Sequence, residues 1–330
     1  MITICSTGGT IVSRMDPYSG GFTSGGIGVM NTDALAAADV EFIELDNIGS
    51  PNVTLDDLAR WARSVRAIMD RPDCDGVVLA MGTNGVEEAS YFFDLVLNLS
   101  QPLIVTGAMS APGQPFADGL ENIADSVEAI RQRPDGLRQL GVCVMFGARL
   151  HSARYVRKIH ANNVPGLDSV AGPVLGEMVA GLTRRLELFT EHLPHSNRGY
   201  FESLLDDSQH EWKDVWIVGV GLGASSSILR AAVAQRADGI VVEGFPSGEL
   251  SDVFSEGLQA VLDKRIPVVV VPRASFGHIT PLYAGPGQGT WLQERSVPTT
   301  SRLGVAKTRV LLVLALARNT PPESLFEAIS

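Results

Sequence analysis

Residues 3–12 read TICSTGGTIV. A short apolar run stops at Ser6-Thr7-Gly8-Gly9-Thr10 and resumes with two β-branched residues, Ile11 and Val12. This is the pattern of a buried strand that ends in a glycine-rich loop. The loop has three readings: a plain tight turn, a cradle for phosphate, or a threonine presented as a nucleophile. A phosphate loop of the GxxxxGK[ST] type needs a lysine that does not follow here.

The same rhythm continues outward. Strand-length apolar runs at 1–5, 40–45, 76–81, 103–106 and 141–146 alternate with amphipathic segments of helical length at 55–70, 86–99 and 119–131. Such alternation predicts an α/β fold with a mostly parallel, doubly wound sheet. From 181 to 213 the pattern lapses into a polar, charged stretch broken by Pro194 and Gly199, which reads as a linker. Strands are expected again at 215–220, 239–242 and 267–271, with helices at 225–236 and 252–264. The segment 307–318 suits a strand or a helix equally. The expected organisation is an N-terminal domain over 1–182, a linker over 183–213 and a smaller C-terminal α/β domain over 214–330.

Composition narrows the function classes. The chain has 330 residues, 45% of them apolar and 19% charged, with a net charge of −11. No basic run is available to neutralise nucleic-acid phosphates. Cys5, Cys74 and Cys143 are widely spaced in or beside apolar runs, so buried reduced thiols are expected rather than a disulfide framework or a zinc site. His151, His160, His192, His195, His210 and His278 show no HxxxH or HExxH spacing, and no metal is expected. Met1 leads straight into ITIC without a signal-like segment, and no run approaches the roughly 18 to 20 apolar residues of a membrane span. A cytoplasmic protein is expected.

In an open parallel sheet, ligands bind at the carboxyl ends of the strands. Thr10, Thr83 and Thr106 each follow such a strand, so three hydroxyls come to one sheet edge, although Thr and Gly also make good turns there. A threonine hydroxyl becomes a useful nucleophile only when a base or an activating network takes its proton. A desolvated lysine is one such base, and Lys158 is the one lysine before the linker. A second motif, Gly219-x-Gly221-x-x-Ala224 with Glu243 ending the next strand, matches a dinucleotide fingerprint but also ordinary strand-to-helix turn chemistry. Glu87-Glu88 open a helix, where the helix dipole accounts for them.

Five blocks, TGGTI (7–11), MGTNGVEEASYFFD (81–94), PLIVTGAM (102–109), ADG (117–119) and LHSARYVRK (150–158), resemble in order and spacing the bacterial-type L-asparaginase/glutaminase family. The resemblance runs nearly end to end. It implies two α/β domains, no metal or cofactor, and intimate dimers pairing into tetramers with sites near the intersubunit interface. It also implies hydrolysis of a small-molecule carboxamide through an acyl-threonine. By position Thr10 matches the nucleophile, and Thr83 and Lys158 match the pair that relays a proton or polarises water. Gly9 and Gly82 match glycines of the two loops, Ser50 the serine that takes the substrate α-carboxylate, and Ala108 a residue near the site's floor.

Several positions depart from the family's pattern. Asn84 stands where an aspartate takes the substrate α-ammonium, and Pro51 where a glutamine follows the binding serine. Phe22 aligns with the loop tyrosine, with Tyr18 four residues earlier as a substitute. Ser247 aligns with an asparagine supplied by a neighbouring subunit. A charge-assisted contact is worth roughly 1.5–3 kcal/mol, and an unpaired desolvated charge costs more. Asn84 therefore predicts weak activity on free asparagine, or a substrate whose α-amino group is absent or acylated. Two alternatives stay open: a binding or sensor protein that kept the pocket, and a hydrolase of cyclic or N-substituted amides.

Overall fold

The computed structural model describes all residues except 27–38, 133–136, 182–183, 191–197, 208–210 and 328–330. His192, His195, His210 and, of the expected linker, residues 183, 191–197 and 208–210 lie outside the described residues. The chain divides into two compact units, Met1–Asp206 and Asp207–Ser330.

The first unit is built on β1 (Ile2–Ser6), a hairpin of β2 (Ser13–Met15) and β3 (Phe22–Ser24), and β4 (Val40–Glu44). It continues with α1 (Leu55–Met69), β5 (Gly76–Ala80), α2 (Val86–Val96), β6 (Leu103–Thr106) and α3 (Gly119–Gln132). Strands β7 (Cys143–Phe146), β8 (Arg149–Ser152), β9 (Val156–Lys158), β10 (Leu167–Ser169), β11 (Val174–Val179) and β12 (Arg185–Leu188) complete it. Eight strands form one sheet in the order β12-β11-β8-β7-β6-β5-β1-β4. From β4 to β7 every pairing is parallel; β8, β11 and β12 add an antiparallel edge.

Short continuous apolar runs become parallel strands because both faces are covered. Ile2, Ile4, Val78 and Ile104 share a core with Ile123, Val127 and Ile130 of α3. The alternating residues Val77 and Leu79 point the other way, where α1 packs on β5 and α2 on β6. Each such side chain, fully buried, contributes roughly 1.5–3 kcal/mol of transfer free energy. A capping box starts α1: the Thr54 hydroxyl accepts from the Asp57 N–H at 3.2 Å, and the Asp57 carboxylate accepts from the Thr54 N–H at 2.9 Å.

Part of the stretch expected as linker is sheet. Arg185-Leu186-Glu187-Leu188 alternates polar with apolar residues, buries Leu186 and pairs antiparallel with β11. Four residues are too few for that period to stand out in a charged context. The antiparallel turn-back itself is a two-residue hairpin between Phe146 and Arg149, with Gly147 and Ala148 both at positive φ (58° and 62°).

The second unit has β13 (Val215–Gly219), α4 (Ser227–Ala234), β14 (Gly239–Glu243), α5 (Asp252–Asp263) and β15 (Val268–Val271). Its last elements are α6 (Gly289–Glu294), α7 (Gly304–Ala317) and α8 (Pro322–Glu327). The three strands form a parallel sheet in sequence order. The ambiguous apolar segment is helix α7, in which Val310 to Ala315 are all buried. A helix covered on every side loses the polar stripe that would mark it in sequence. Among the described residues no helix is long and apolar enough to cross a membrane.

The loop after β6 is held by one carboxylate. Asp118, buried just ahead of α3, accepts from the Met109 N–H at 3.0 Å and the Ser110 N–H at 2.9 Å. Asn122, one turn on, donates to the Gly107 carbonyl at 3.0 Å and accepts from the Gly147 N–H at 3.0 Å. Removing the carboxylate orphans two N–H groups that it holds by charge-assisted bonds, each worth about 1.5–3 kcal/mol. Asp118→Ala is therefore expected to lower the unfolding free energy by about 2–4 kcal/mol in urea titrations; unchanged stability would show that the loop needs no such anchor.

Candidate active site

Strand β1 lies between β4 and β5, so the loops that follow these strands emerge side by side. They then close on one another through glycine. Gly9 has φ 89° and ψ −173°, a region that essentially only glycine occupies. A Cβ on Gly9 would lie 2.4 Å from the Gly82 Cα, so the two loop backbones touch. On Gly82 a Cβ would lie 2.6 Å from Ser50 Oγ. On Gly107 it would lie 2.5 Å from the Met81 carbonyl oxygen and 3.1 Å from Thr83 Cγ2. The loops after β1, β4, β5 and β6 thus meet at positions where glycine leaves room for the neighbouring loop.

This closure brings Thr10, Thr83 and Ser50 to one locus. Thr10 follows Gly9 and opens a single 3-10 turn, Thr10–Val12, where it is half-buried. Thr83 follows Gly82 and is buried. Ser50 opens another 3-10 turn, Ser50–Asn52, with Pro51 exposed behind it. Ala108 is fully buried and sits under the loop: a Cβ on Gly119 would meet both Ala108 Cβ (3.1 Å) and Ile11 Cγ1 (2.7 Å). The absence of a side chain at Gly119 therefore lets the Thr10 turn rest on the start of α3.

Lys158 arrives from a separate ribbon. Strands β9 and β10 pair antiparallel outside the large sheet, with Lys158 opposite Leu167. The ribbon is tied down on two sides: Gly166 leaves room for the Met109 thioether, and His151 Nδ1 lies 3.0 Å from Ser169 Oγ. Burial lowers the His151 pKa to about 4, so it is neutral at pH 7 and acts as a tether. Lys158 Nζ donates to Thr83 Oγ1 at 2.9 Å and to Asn84 Oδ1 at 2.7 Å. Both partners are neutral, and among the described residues no carboxylate pairs with this ammonium. Burial lowers the Lys158 pKa below its ordinary value.

Tyr18, Phe22, Asn84 and Ser247 are all exposed. Tyr18 lies in the turn of the β2–β3 hairpin and is 98% exposed, while Phe22, opposite Met15, is 40% exposed. Asn84 is exposed at the start of the turn into α2. Ser247 is exposed in the turn after β14, in the second unit. The 219–224 motif also lies there; a Cβ on Gly221 or Gly223 would meet nothing within 4 Å, so those glycines serve no close packing. Glu87, at the start of α2, faces Arg157 at 3.7 Å. Cys5, Cys74 and Cys143 are buried and free, and among the described residues no cluster of His, Cys, Asp or Glu is arranged to hold a metal ion. The sequence alone assigns no role to Asp118, Asn122, Met109 or Gly166. An Asp before a Gly-Leu-Glu-Asn helix start was the available signal for the first two; nothing local signals the others.

Residues 1–191 match the family model "Asparaginase, N-terminal", and residues 214–328 match "Glutaminase/Asparaginase C-terminal domain". The L-asparaginase of Bacillus licheniformis is 27% identical over 325 residues, covering 96% of this chain and 95% of that protein. L-asparaginase 2 of Bacillus subtilis is 28% identical over 334 residues, covering 98% and 84%. A component of the glutamyl-tRNA(Gln) amidotransferase of Methanococcus maripaludis is 25% identical over 288 residues, covering 84% and 67%. The structure of the probable cytoplasmic L-asparaginase of Campylobacter jejuni superposes with a TM-score of 0.81 at 25% identity, covering 99% and 97%. The class so defined is an amidohydrolase acting on linear amides. The chain belongs to the asparaginase family.

A methyl group at the loop contact tests the geometry. Gly9→Ala forces a strained backbone, costing about 1–3 kcal/mol, and drives a Cβ into Gly82. Catalytic efficiency is expected to fall at least about 100-fold, since an ångström of misplacement costs that much. An alanine variant with parental activity and melting temperature would show that the loops need not touch.

Proposed function

We propose that the protein cleaves a side-chain carboxamide, of L-asparagine or a related amide, through an acyl intermediate on Thr10. The observation that supports this best is the hydrogen bond from Lys158 Nζ to the buried Thr83 hydroxyl, one glycine contact away from Thr10. In this reading Thr10 Oγ attacks the amide carbon and its proton passes to the departing nitrogen, which leaves as ammonia or an amine. Backbone N–H groups around Thr10 and Thr83 face the developing oxyanion. Water then hydrolyses the ester, and Thr83 with Lys158 takes the proton of the attacking group and returns it to Thr10. Ser50 receives a carboxylate of the substrate. The hairpin that carries Tyr18 and Phe22 is the lid, and Ser247 of a neighbouring subunit reaches the site in a homodimer or homotetramer. The reading places the catalytic domain in residues 1–182 and the protein in the cytoplasm.

Lys158 must lose a proton to act as a base. Its pKa is lowered by burial, so the neutral fraction at a given pH exceeds that of a solvated lysine. The rate is therefore expected to rise with pH along a limb that lies below the ordinary lysine range. Lys158→Met is expected to lose about 100- to 10,000-fold in kcat together with that limb, and Thr10→Ala to release no ammonia above background. Ammonia assays over pH 5–10 check both (the pH span is roughly that over which such groups titrate). A Thr10→Ala protein as fast as the parent would overturn the mechanism; a ligand that binds and stays intact would instead favour a binding protein.

A further inference from the structure

The side chain beside Thr83 is Asn84, and its orientation is set by its neighbour. An ammonium only donates, so the Asn84 atom 2.7 Å from Lys158 Nζ is the carbonyl Oδ1. The amide group then turns its Nδ2 away from Lys158. Among the described residues Nδ2 has no partner, and the side chain is exposed at the mouth of the site. Two of the Lys158 hydrogens are directed at Thr83 and Asn84, which leaves a third N–H to spare. Asn84 Nδ2 and the third Lys158 N–H are therefore spare donors next to Thr83.

The surrounding carboxylates do not reverse this. Glu87 faces Arg157 at 3.7 Å. Asp46 accepts from Arg60 at 2.6 Å and from the Trp61 indole at 3.3 Å. Asp118 is turned inward onto the Met109 and Ser110 N–H groups. A substrate ammonium placed against Asn84 would meet an NH₂ group and the Lys158 cation with no anion to balance it. Like charges at that range repel, and a cation so placed has also lost solvation.

We infer that the site recognises an ω-carboxamide acid whose α-nitrogen is acylated, the acyl carbonyl oxygen accepting from Asn84 Nδ2. Acylation removes the positive charge, supplies the acceptor that the free donor requires, and adds a group that can extend outward. Asn47, Pro51 and Asn84 are all exposed on this side, so the acyl group would leave through an open rim. The inference rests on the amidohydrolase reading above and sharpens its substrate class.

The test separates recognition from turnover. Thr10→Ala protein is titrated in a calorimeter with N-acetylasparagine, asparagine and succinamate, and the parent is assayed for ammonia release from the same three. N-acetylasparagine is expected to bind at least about tenfold more tightly than asparagine, a margin of about 1.4 kcal/mol, and more tightly than succinamate, which lacks the acceptor. In the Thr10→Ala/Asn84→Asp protein the order of the first two is expected to invert. In an otherwise unaltered chain, Asn84→Asp is expected to move the rising limb of the pH profile upward, because an anion beside Lys158 holds its proton. Asparagine binding as tightly as N-acetylasparagine, succinamate matching it, failure of all three to bind, or an order unchanged by Asn84→Asp would each overturn the inference. Selective binding with no ammonia from the parent would leave the recognition standing and overturn the amidohydrolase reading.

Discussion

Two backbones in contact, Gly9 against Gly82, are the constraint on which the site depends. The contact exists because β1 and β5 run parallel in register, Ser6 beside Ala80, and end together. It also requires that neither loop carry a Cβ at the meeting point. Once the loops touch, Thr10 and Thr83 are neighbours by chain connectivity, and Ser50 closes the third side against Gly82. The sheet supplies alignment and the glycines supply approach. A side chain at either position would push the Thr10 and Thr83 loops apart.

Around this contact the supports are polar but confined to the loops' backs. Asp118 and Asn122 fix the turn after β6 by taking its N–H groups and capping its carbonyl. Met109, held in that turn, fills the space over Gly166 and so links the loop to the ribbon that carries Lys158. Lys158 reaches Thr83 because of this ribbon. Its proton affinity is then lowered by burial, which favours the uncharged amine relative to a lysine in water. In the proposed reading Asn84, one residue after Thr83 and bonded to Lys158, sets which charge is tolerated beside them.

Much of this was legible in the chain. The parallel strands β1, β5 and β6 were visible as short apolar runs because both sheet faces are covered, and their threonine ends followed from where parallel sheets bind ligands. The family resemblance pointed to Lys158. Its carrier was not visible: β9 and β10 are three residues each and stand outside the sheet, so no periodicity marks them. β12 hid in a charged stretch because four alternating residues make too short a signal. The second unit's α7 was ambiguous since its core turns are buried all round. Long-range contacts such as Met109 on Gly166 leave no trace in local sequence, because they join residues that only the finished fold brings together.

The most direct measurement is to look for the covalent bond. Lys158→Met protein, slowed in returning the enzyme to its free state, is incubated with an ω-carboxamide substrate, quenched in acid and mapped by peptide mass spectrometry. The expected result is an acyl mass added to the peptide that contains Thr10, lost again when Thr10 is alanine. An adduct on another residue, or ammonia released by the parent with no adduct on any peptide, would contradict Thr10 as the nucleophile.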